Sequence, residues 1–310
     1  MGARGLNRRD LCRLGLLGLT GGGSARGADV AAATTLRLGG GEIVLTLSGD
    51  FPAATRKEIQ VWIKRSVDAL VRYFGRLPAP RIELRLQAEP GHGVGGGTTD
   101  RDPALFVAAR VGRDTTAAEF LDDWVLVHEM VHVAVPRLPR AQNWLHEGLA
   151  TYVETVARAR AGVTSAEQLW SELSRGMPQG LPRAGDRGLD RTHTWGRTYW
   201  GGAIFCLLAD LKIRRASKGR SGLQQALQGV LAAGGNYGED WSVTQFLGVA
   251  DAAVGQTSLG DLYNEMKDQP MPVDLEALWR ELGVVQRSGG AAVQFDDAAP
   301  EAWLRRAIGG

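Results

Sequence analysis

The sequence predicts an α+β fold in which a small mixed sheet with helices comes first and a mostly helical part follows. Three observations predict it. "RIELRLQA" (Arg81 to Ala88) alternates apolar and polar residues as a half-buried strand does. "AATRKEIQVWIKRSVDALVRYFG" (Ala53 to Gly75) returns Ile59, Ile63, Val67, Leu70 and Val71 at helical intervals. From Thr115 onward helical patterns dominate. A chain of 310 residues with 44% hydrophobic residues has enough apolar side chain for a substantial core.

The first 33 residues stand apart as an export signal and processing region. They begin basic, continue with an apolar run from Leu11 to about Leu19, and end in small residues near Ala28 and Ala31 to Ala33. Arg8 and Arg9 precede the apolar run as a pair, as in twin-arginine bacterial export signals, although Asp10 and Arg13 interrupt the pattern. The expectation is an exported bacterial protein, periplasmic or secreted; the alternative is a disordered basic N-terminus on a cytoplasmic chain. Loss of residues 1–28 removes five arginines and Asp10 and turns the formal charge from +2 to −2, so the whole-chain charge says little about a ligand. Cys206 is then the one cysteine left, within the apolar "GGAIFCLLADL", and reads as a buried small hydrophobe.

The remaining elements follow in order. "TLRLGGGEIVLTLSG" (Thr35 to Gly49) reads as one or two strands broken by glycines, and the helix at 53–75 stops at Gly75 before Pro78. After the strand at 81–88, "EPGHGVGGGTTDRD" (Glu89 to Asp102) is a glycine-rich connection, either a mobile loop or an irregular edge strand near a cleft, and "ALFVAARVG" (Ala104 to Gly112) is another strand. The glycines at 93–97 lack the Lys-Ser/Thr ending of a phosphate loop. Helices are expected at 162–177, from about Thr198, and at 223–233, 242–253, 258–266 and 274–282, before a short strand in "AAVQFDD" and a tail around Pro300. Residues 34–310 read as one domain, with 34–135 holding the sheet and the helix that follows it and 136–310 mainly helical.

The chemistry concentrates in "VLVHEMVHVAVPRLPRAQNWLHEGLATYVE" (Val125 to Glu154), which holds three of the five histidines. His128 and His132 are four residues apart, so on a helix both rings leave from one face. Glu129 follows His128 and can face a water at a metal held by the two rings. Their neighbours are almost all apolar, and metal coordination explains why polar residues are kept there. Pro136 and Pro139 allow a reversal, Asn143 can cap the next helix, and Glu147 on that helix returns as a third ligand. Two imidazoles and a carboxylate leave a fourth zinc position for water. Glu147 also has a plain reading as a solvent-facing acid near a helix start, and His146 points about 100° away from it, toward a hydrogen bond or the rim of a cleft.

"HEMVH" followed by "NWLHEGLATYVE" resembles the gluzincin, or peptidase MA-like, zinc metallopeptidases, with the large aminopeptidases and the glycyl-aminopeptidase-like group nearest. That resemblance implies a zincin-like fold, one Zn2+ per chain on His128, His132 and Glu147, and Glu129 as general base. Fourteen residues separate His132 from Glu147, fewer than is usual in the large aminopeptidases. "TYWGGAIFCLLADL" resembles the helix start that bears a transition-state-stabilising tyrosine, which implies Tyr199 as oxyanion donor, with Gly201 and Gly202 permitting close packing behind it. Tyr199 also fits as an interface residue beside Trp200. His193, in "DRTHTWG", would assist Tyr199 or sit on a surface loop, and Thr151 and Glu154 are placed to bond a ligand from behind. The closing segment "LGVVQRSGGAAVQFDDAAPEAWLRRAI" resembles the end of the glycyl-aminopeptidase-like proteins, where a strand and an Ala-Pro turn precede a final arginine-bearing helix.

The reaction implied is zinc-dependent hydrolysis of a peptide or protein substrate, as an endopeptidase or an aminopeptidase. An aminopeptidase needs acid groups for the substrate's free amine, and "GVGGGTT" offers none before Asp100. The alternative is a non-catalytic exported protein that binds zinc or peptide on the same fold. No nucleic-acid partner is expected: the basic run "KIRRASKGR" (212–220) reads as the solvated end of a helix. No stretch of the mature chain is long enough to span a membrane, and the sequence leaves the oligomeric state open.

Overall fold

The structure, a computed structural model, describes residues 33–287 and 292–310. The expected export signal, with Arg8, Arg9 and Cys12, lies outside the described residues. By the density of its contacts the chain divides into two units, one of residues up to Asp68 with Ala79–Met130, the other of Ala69–Pro78 with Val131–Gly310.

The first unit holds a five-stranded mixed sheet in the order β1-β2-β3-β5-β4. Strands β1 (Thr34–Leu38) and β2 (Gly41–Ser48) form an antiparallel hairpin. Helix α1 (Ala53–Phe74) then leads to β3 (Arg81–Glu89), which pairs parallel with β2, Leu45 opposite Leu84. A parallel pair needs a long crossover, and α1 is that crossover. Strand β5 (Phe106–Gly112) adds in parallel on the far side of β3, with Leu84 opposite Val107. The central strands bury Ile43, Leu45, Ile82, Leu84, Leu86, Val107 and Val111, as strands flanked on both sides by neighbours do.

The glycine-rich segment becomes strand β4 (Val94–Asp100), antiparallel to β5 at the sheet edge with an irregular step between Val94 and Gly97. Of the two uses expected for those glycines, the edge strand is the one formed. Two helices complete this unit, α2 (Ala117–Asp122) and the start of α3 (Val125–Val133). Thr116 and Glu119 close a reciprocal capping box at the start of α2.

The second unit is almost all helix. The chain runs through α4 (Asn143–Arg160), α5 (Ala166–Gly176), a π-helical turn (Arg197–Gly201) that continues into α6 (Gly202–Ser217), then α7 (Leu223–Ala232), α8 (Val243–Val254), α9 (Ser258–Met266) and α10 (Leu275–Leu282). Strands β6 (Val284–Val285) and β7 (Gln294–Phe295) make a short antiparallel pair. The segment around Pro300 leads into a helix, α11 (Ala302–Gly309), rather than a tail. Its Arg305 is buried, donates to the carbonyl of Gly283 at 2.7 Å and lies over the Phe295 ring.

Two internal features organise this unit. Gly148 on α4 and Gly202 at the start of α6 meet backbone to backbone: a methyl on Gly148 would lie 2.3 Å from the carbonyl carbon of Gly202. Asp210 on α6 accepts from the Tyr152 hydroxyl (2.9 Å), from Arg214 (2.8 Å) and from the first amide of α7, Leu223 (2.9 Å). The basic run at 212–220 is therefore only partly solvated, because Arg214 is buried on Asp210 and Arg215 pairs with Glu301. An arginine that bonds a buried carboxylate compensates both charges at once. Cys206 is fully buried, and burial raises its thiol pKa well above the usual range.

Among the described residues, no helix is long and apolar enough to cross a membrane.

Candidate metal centre

Helix α3 carries His128 and His132 one turn apart, and its start is fixed by a carboxylate. Asp123 accepts from the amides of Val125 (3.1 Å) and Leu126 (3.3 Å), two of the donors that a helix start leaves without helical partners. The other side of that carboxylate is held by α1, through the indole N–H of Trp62 at 2.9 Å. Trp62 also packs on Phe120, ring centroids 5.1 Å apart, and Arg65 donates to the Phe120 carbonyl. Apolar Val125, Leu126, Val127, Met130, Val131 and Val133 are all buried, so α3 is enclosed on several sides. His128 and His132 are buried too, and the Trp124 ring stands edge-on to His128 at 5.4 Å.

Helix α4 brings Glu147 to the same place. One ligand-type atom from each of His128, His132 and Glu147 lies within 4.8 Å of the others. His132 Nε2 lies 3.6 Å from Glu147 Oε2. Ligands about 2.1 Å from a tetrahedral zinc sit roughly 3.4 Å from one another, so this separation suits two atoms sharing one ion. The donor chemistry also fits: two imidazoles and a carboxylate are the set of open, hydrolytic zinc sites. The three residues expected as metal ligands are thus brought together.

The carboxylate of Glu129 faces the edge strand of its own unit. Thr99 Oγ1 lies 2.9 Å from Glu129 Oε2 and 2.8 Å from the Glu129 carbonyl. Two residues earlier, Gly97 has no room for a side chain, because a methyl there would lie 2.5 Å from Glu129 Cγ. Strand β4 therefore accommodates the glutamate with a missing side chain and holds it with a hydroxyl. Neither Thr99 nor Gly97 was singled out by the sequence. The signal present was the run of glycines ending in two threonines, which shows a close approach of backbone to something but does not say to what.

Behind His132 stands His146. Its Nε2 is 2.8 Å from the carbonyl of Pro136, and its Nδ1 is 3.3 Å from His132 Nδ1. The edge of one ring meets the face of the other between His146 and Tyr237. Burial first, and the nearby His132 second, pull the His146 pKa down to about 4. The hydrogen-bonding role expected for it, rather than a ligand's, is the one it has.

Tyr199 lies half-buried in the π-helical turn, stacked on Trp195 at 5.7 Å between centroids. The turn is anchored by Arg197, which is buried on Asp186 at 2.8 Å and also donates to the Gly180 carbonyl. Single π-helical turns are rare and occur frequently at functional sites. Because α6 follows immediately and crosses α4 at Gly148, the residue after Glu147, the turn bearing Tyr199 is tied to the helix that supplies Glu147. His193 is exposed in the preceding loop. Glu154 is fully buried and paired with Arg158 at 3.0 Å. The Thr151 hydroxyl is buried without a hydrogen-bond partner among the described residues, so the ligand contact expected of it is not made.

No protein-family model and no curated protein sequence matches this chain. Solved structures do match it by fold. An aminopeptidase N family protein from Idiomarina loihiensis aligns with 88% of this chain and 53% of its own, with a TM-score of 0.62 and 14% identity. A mutant of a two-domain M1 zinc metallopeptidase bound to L-arginine aligns with 78% of this chain and 54% of its own, with a TM-score of 0.51 and 18% identity. A mutant M1 zinc metallopeptidase from Deinococcus radiodurans aligns over 79% and 53%, with a TM-score of 0.50 and 18% identity. This chain spans about half the length of these solved chains. What they share with it is the α+β architecture of a five-stranded mixed sheet followed by helices, and the fold is that of the aminopeptidase N and M1 zinc metallopeptidase structures.

Proposed function

We propose that this protein is a zinc-dependent peptidase whose metal ligands are His128, His132 and Glu147. The observation that carries the reading is the gathering of those three donors within 4.8 Å on the pair of helices α3 and α4. A zinc ion held there supplies a Lewis acid that polarises a scissile carbonyl and makes water acidic enough to attack near neutral pH.

The remaining work falls to the protein. Glu129 takes the proton of the attacking water and delivers it to the departing amine. The Thr99 hydroxyl suits both states of that glutamate. It donates to the carboxylate while Glu129 is ionised, and it can turn to the Glu129 carbonyl and accept from the acid once Glu129 is protonated. Tyr199, assisted by His193, donates to the oxygen that becomes negative in the tetrahedral intermediate. The substrate is a peptide or protein chain, and the export expected from residues 1–33 puts it outside the cytoplasm.

The test is elemental analysis of the purified protein together with cleavage of a peptide library by wild type and Glu129→Gln. One zinc per chain and turnover lost in the variant support the proposal. Zinc without turnover in the wild type would make this a binding protein on a peptidase fold. The termini of the products separate internal cleavage from removal of single N-terminal residues.

A further inference from the structure

We propose that Arg197, paired with Asp186, is a positioning residue for Tyr199: it keeps the π-helical turn wound and so sets where the Tyr199 hydroxyl is aimed. This role rests on the reading of Tyr199 as oxyanion donor and deepens it.

A π turn holds one residue more than an α turn, because its amides reach back five residues instead of four. Here the amide of Gly202 donates to the carbonyl of Arg197. Expelling the extra residue would wind the segment into ordinary α-helix and change the direction in which Tyr199 leaves the axis. The wider turn is pinned at both ends against that slip.

At its far end Gly202 lies against Gly148 and the Trp144 carbonyl of α4, with no room for a methyl. At its near end stands Arg197. The guanidinium meets the Asp186 carboxylate at 2.8 Å, both side chains being at most 4% exposed, and donates to the Gly180 carbonyl. Gly180 closes the 3₁₀ turn Met177–Gly180 that follows α5, and this segment is shaped to the π turn. A methyl on Gly176 would run into the Trp200 ring, one on Gly180 into the backbone of Trp200 and Gly201, and one on Gly196 into the Gln179 carbonyl.

Asp186 is fixed in its turn. Its Oδ1 accepts from the Gly188 amide at 2.9 Å. The amides of Leu189 and Asp190 donate to the carbonyls of Met266 (2.8 Å) and Lys267 (3.0 Å), and Asp190 accepts from the Trp144 indole at 2.7 Å. The carboxylate that holds Arg197 is therefore referenced to α4, the helix that bears Glu147. A buried ion pair adds little stability that apolar side chains of similar volume would not. What a guanidinium adds is contacts in fixed directions, which a lysine does not reproduce.

The experiment uses the full chain labelled with 3-fluorotyrosine. Of its five tyrosines, the one whose 19F resonance disappears in Tyr199→Phe is Tyr199. Arg197→Met is combined with Asp186→Asn, so that no buried charge is left without its partner, and Arg197→Lys is made separately. In metal-free protein the paired substitution should move or broaden the Tyr199 resonance and leave the other four in place. With zinc, kcat should fall roughly tenfold or more at similar KM. In the Tyr199→Phe background the same pair should lower kcat no further, because the residue it acts through is already gone. Arg197→Lys, with the charge but not both contacts, should fall between; if the paired variant does not fold, the lysine variant is read by the same two measurements. An unmoved Tyr199 resonance overturns the proposal, and so does an equal loss of kcat with and without the Tyr199 hydroxyl. Wild-type kcat in Tyr199→Phe, or no turnover in the wild type, overturns the oxyanion reading instead, and the resonance still decides whether Arg197 positions the ring.

Discussion

Thr99 on the edge strand β4 holds Glu129 on α3, with its hydroxyl 2.9 Å from the carboxylate. A hydrogen bond to a charged group contributes about 1.5–3 kcal/mol, and under the proposed proton transfer by Glu129 its loss is read in the rate. Thr99→Val should therefore lower kcat roughly tenfold or more at similar KM, and Thr99→Ser should restore most of it. Gly97→Ala should be worse than either, because its methyl displaces the glutamate itself. Steady-state kinetics with zinc content measured on the same samples decides this; equal kcat in Thr99→Val and wild type would show that the hydroxyl is not needed.

Gly148→Ala tests the crossing of α4 and α6. The new methyl would meet the backbone of Gly202, which cannot step aside as a flexible side chain can. Overpacking typically costs about 1–3 kcal/mol, and a clash with backbone belongs at the upper end. Denaturant unfolding should show a lower midpoint with an unchanged slope, and a variant as stable as wild type would mean that the two helices can separate without penalty.

Asp123→Ala removes a helix cap and leaves the Trp62 indole without this acceptor. Loss of a cap costs about 0.5–2 kcal/mol, and a buried donor deprived of its partner adds to that. Asp123→Asn retains an acceptor and should lose much less. Thermal unfolding of the two variants against wild type gives the comparison.

The capping box of α2 predicts a dependence on pH. Hydrogen bonds to the ionised carboxylate, first from the Thr116 amide, hold the Glu119 pKa below its usual value. The folded state therefore favours the ionised form, so the stabilisation is present above the unfolded-state pKa of about 4.3 and is lost as pH falls through the lower folded value. The stability gap between wild type and Glu119→Ala should be full at pH 6 and should shrink below pH about 4. A gap that is constant from pH 6 to pH 3 would count against the assignment.

The parts of the site that were legible in the sequence are those written in local spacing. His128 and His132 could be paired because four residues make one helical turn, and Glu147 because a short proline-bearing reversal returns the chain. Thr99 could not be read this way. Its contact with Glu129 spans thirty residues and depends on the register of β4 against β5, in particular Thr99 opposite Val107. Strand β4 itself shows little apolar alternation, since its glycines serve a close approach rather than a core. The π-helical turn at Arg197–Gly201 was hidden for a different reason: five residues are too few for their periodicity to separate it from the α-helix that follows. Thr151 misled because a position one turn along the helix from Glu147 places a residue nearby without aiming its hydroxyl.

The carboxylate that starts α3 is clasped by Trp62, so the rotation at which that helix begins is referenced to α1. Each residue turns an α-helix by about 100°. Inserting a single residue between Asp123 and His128 would thus leave the motif intact as letters while swinging its imidazoles to another side of the rod. For this chain, the count of residues from the aspartate to the first histidine matters as much as the spacing between the histidines.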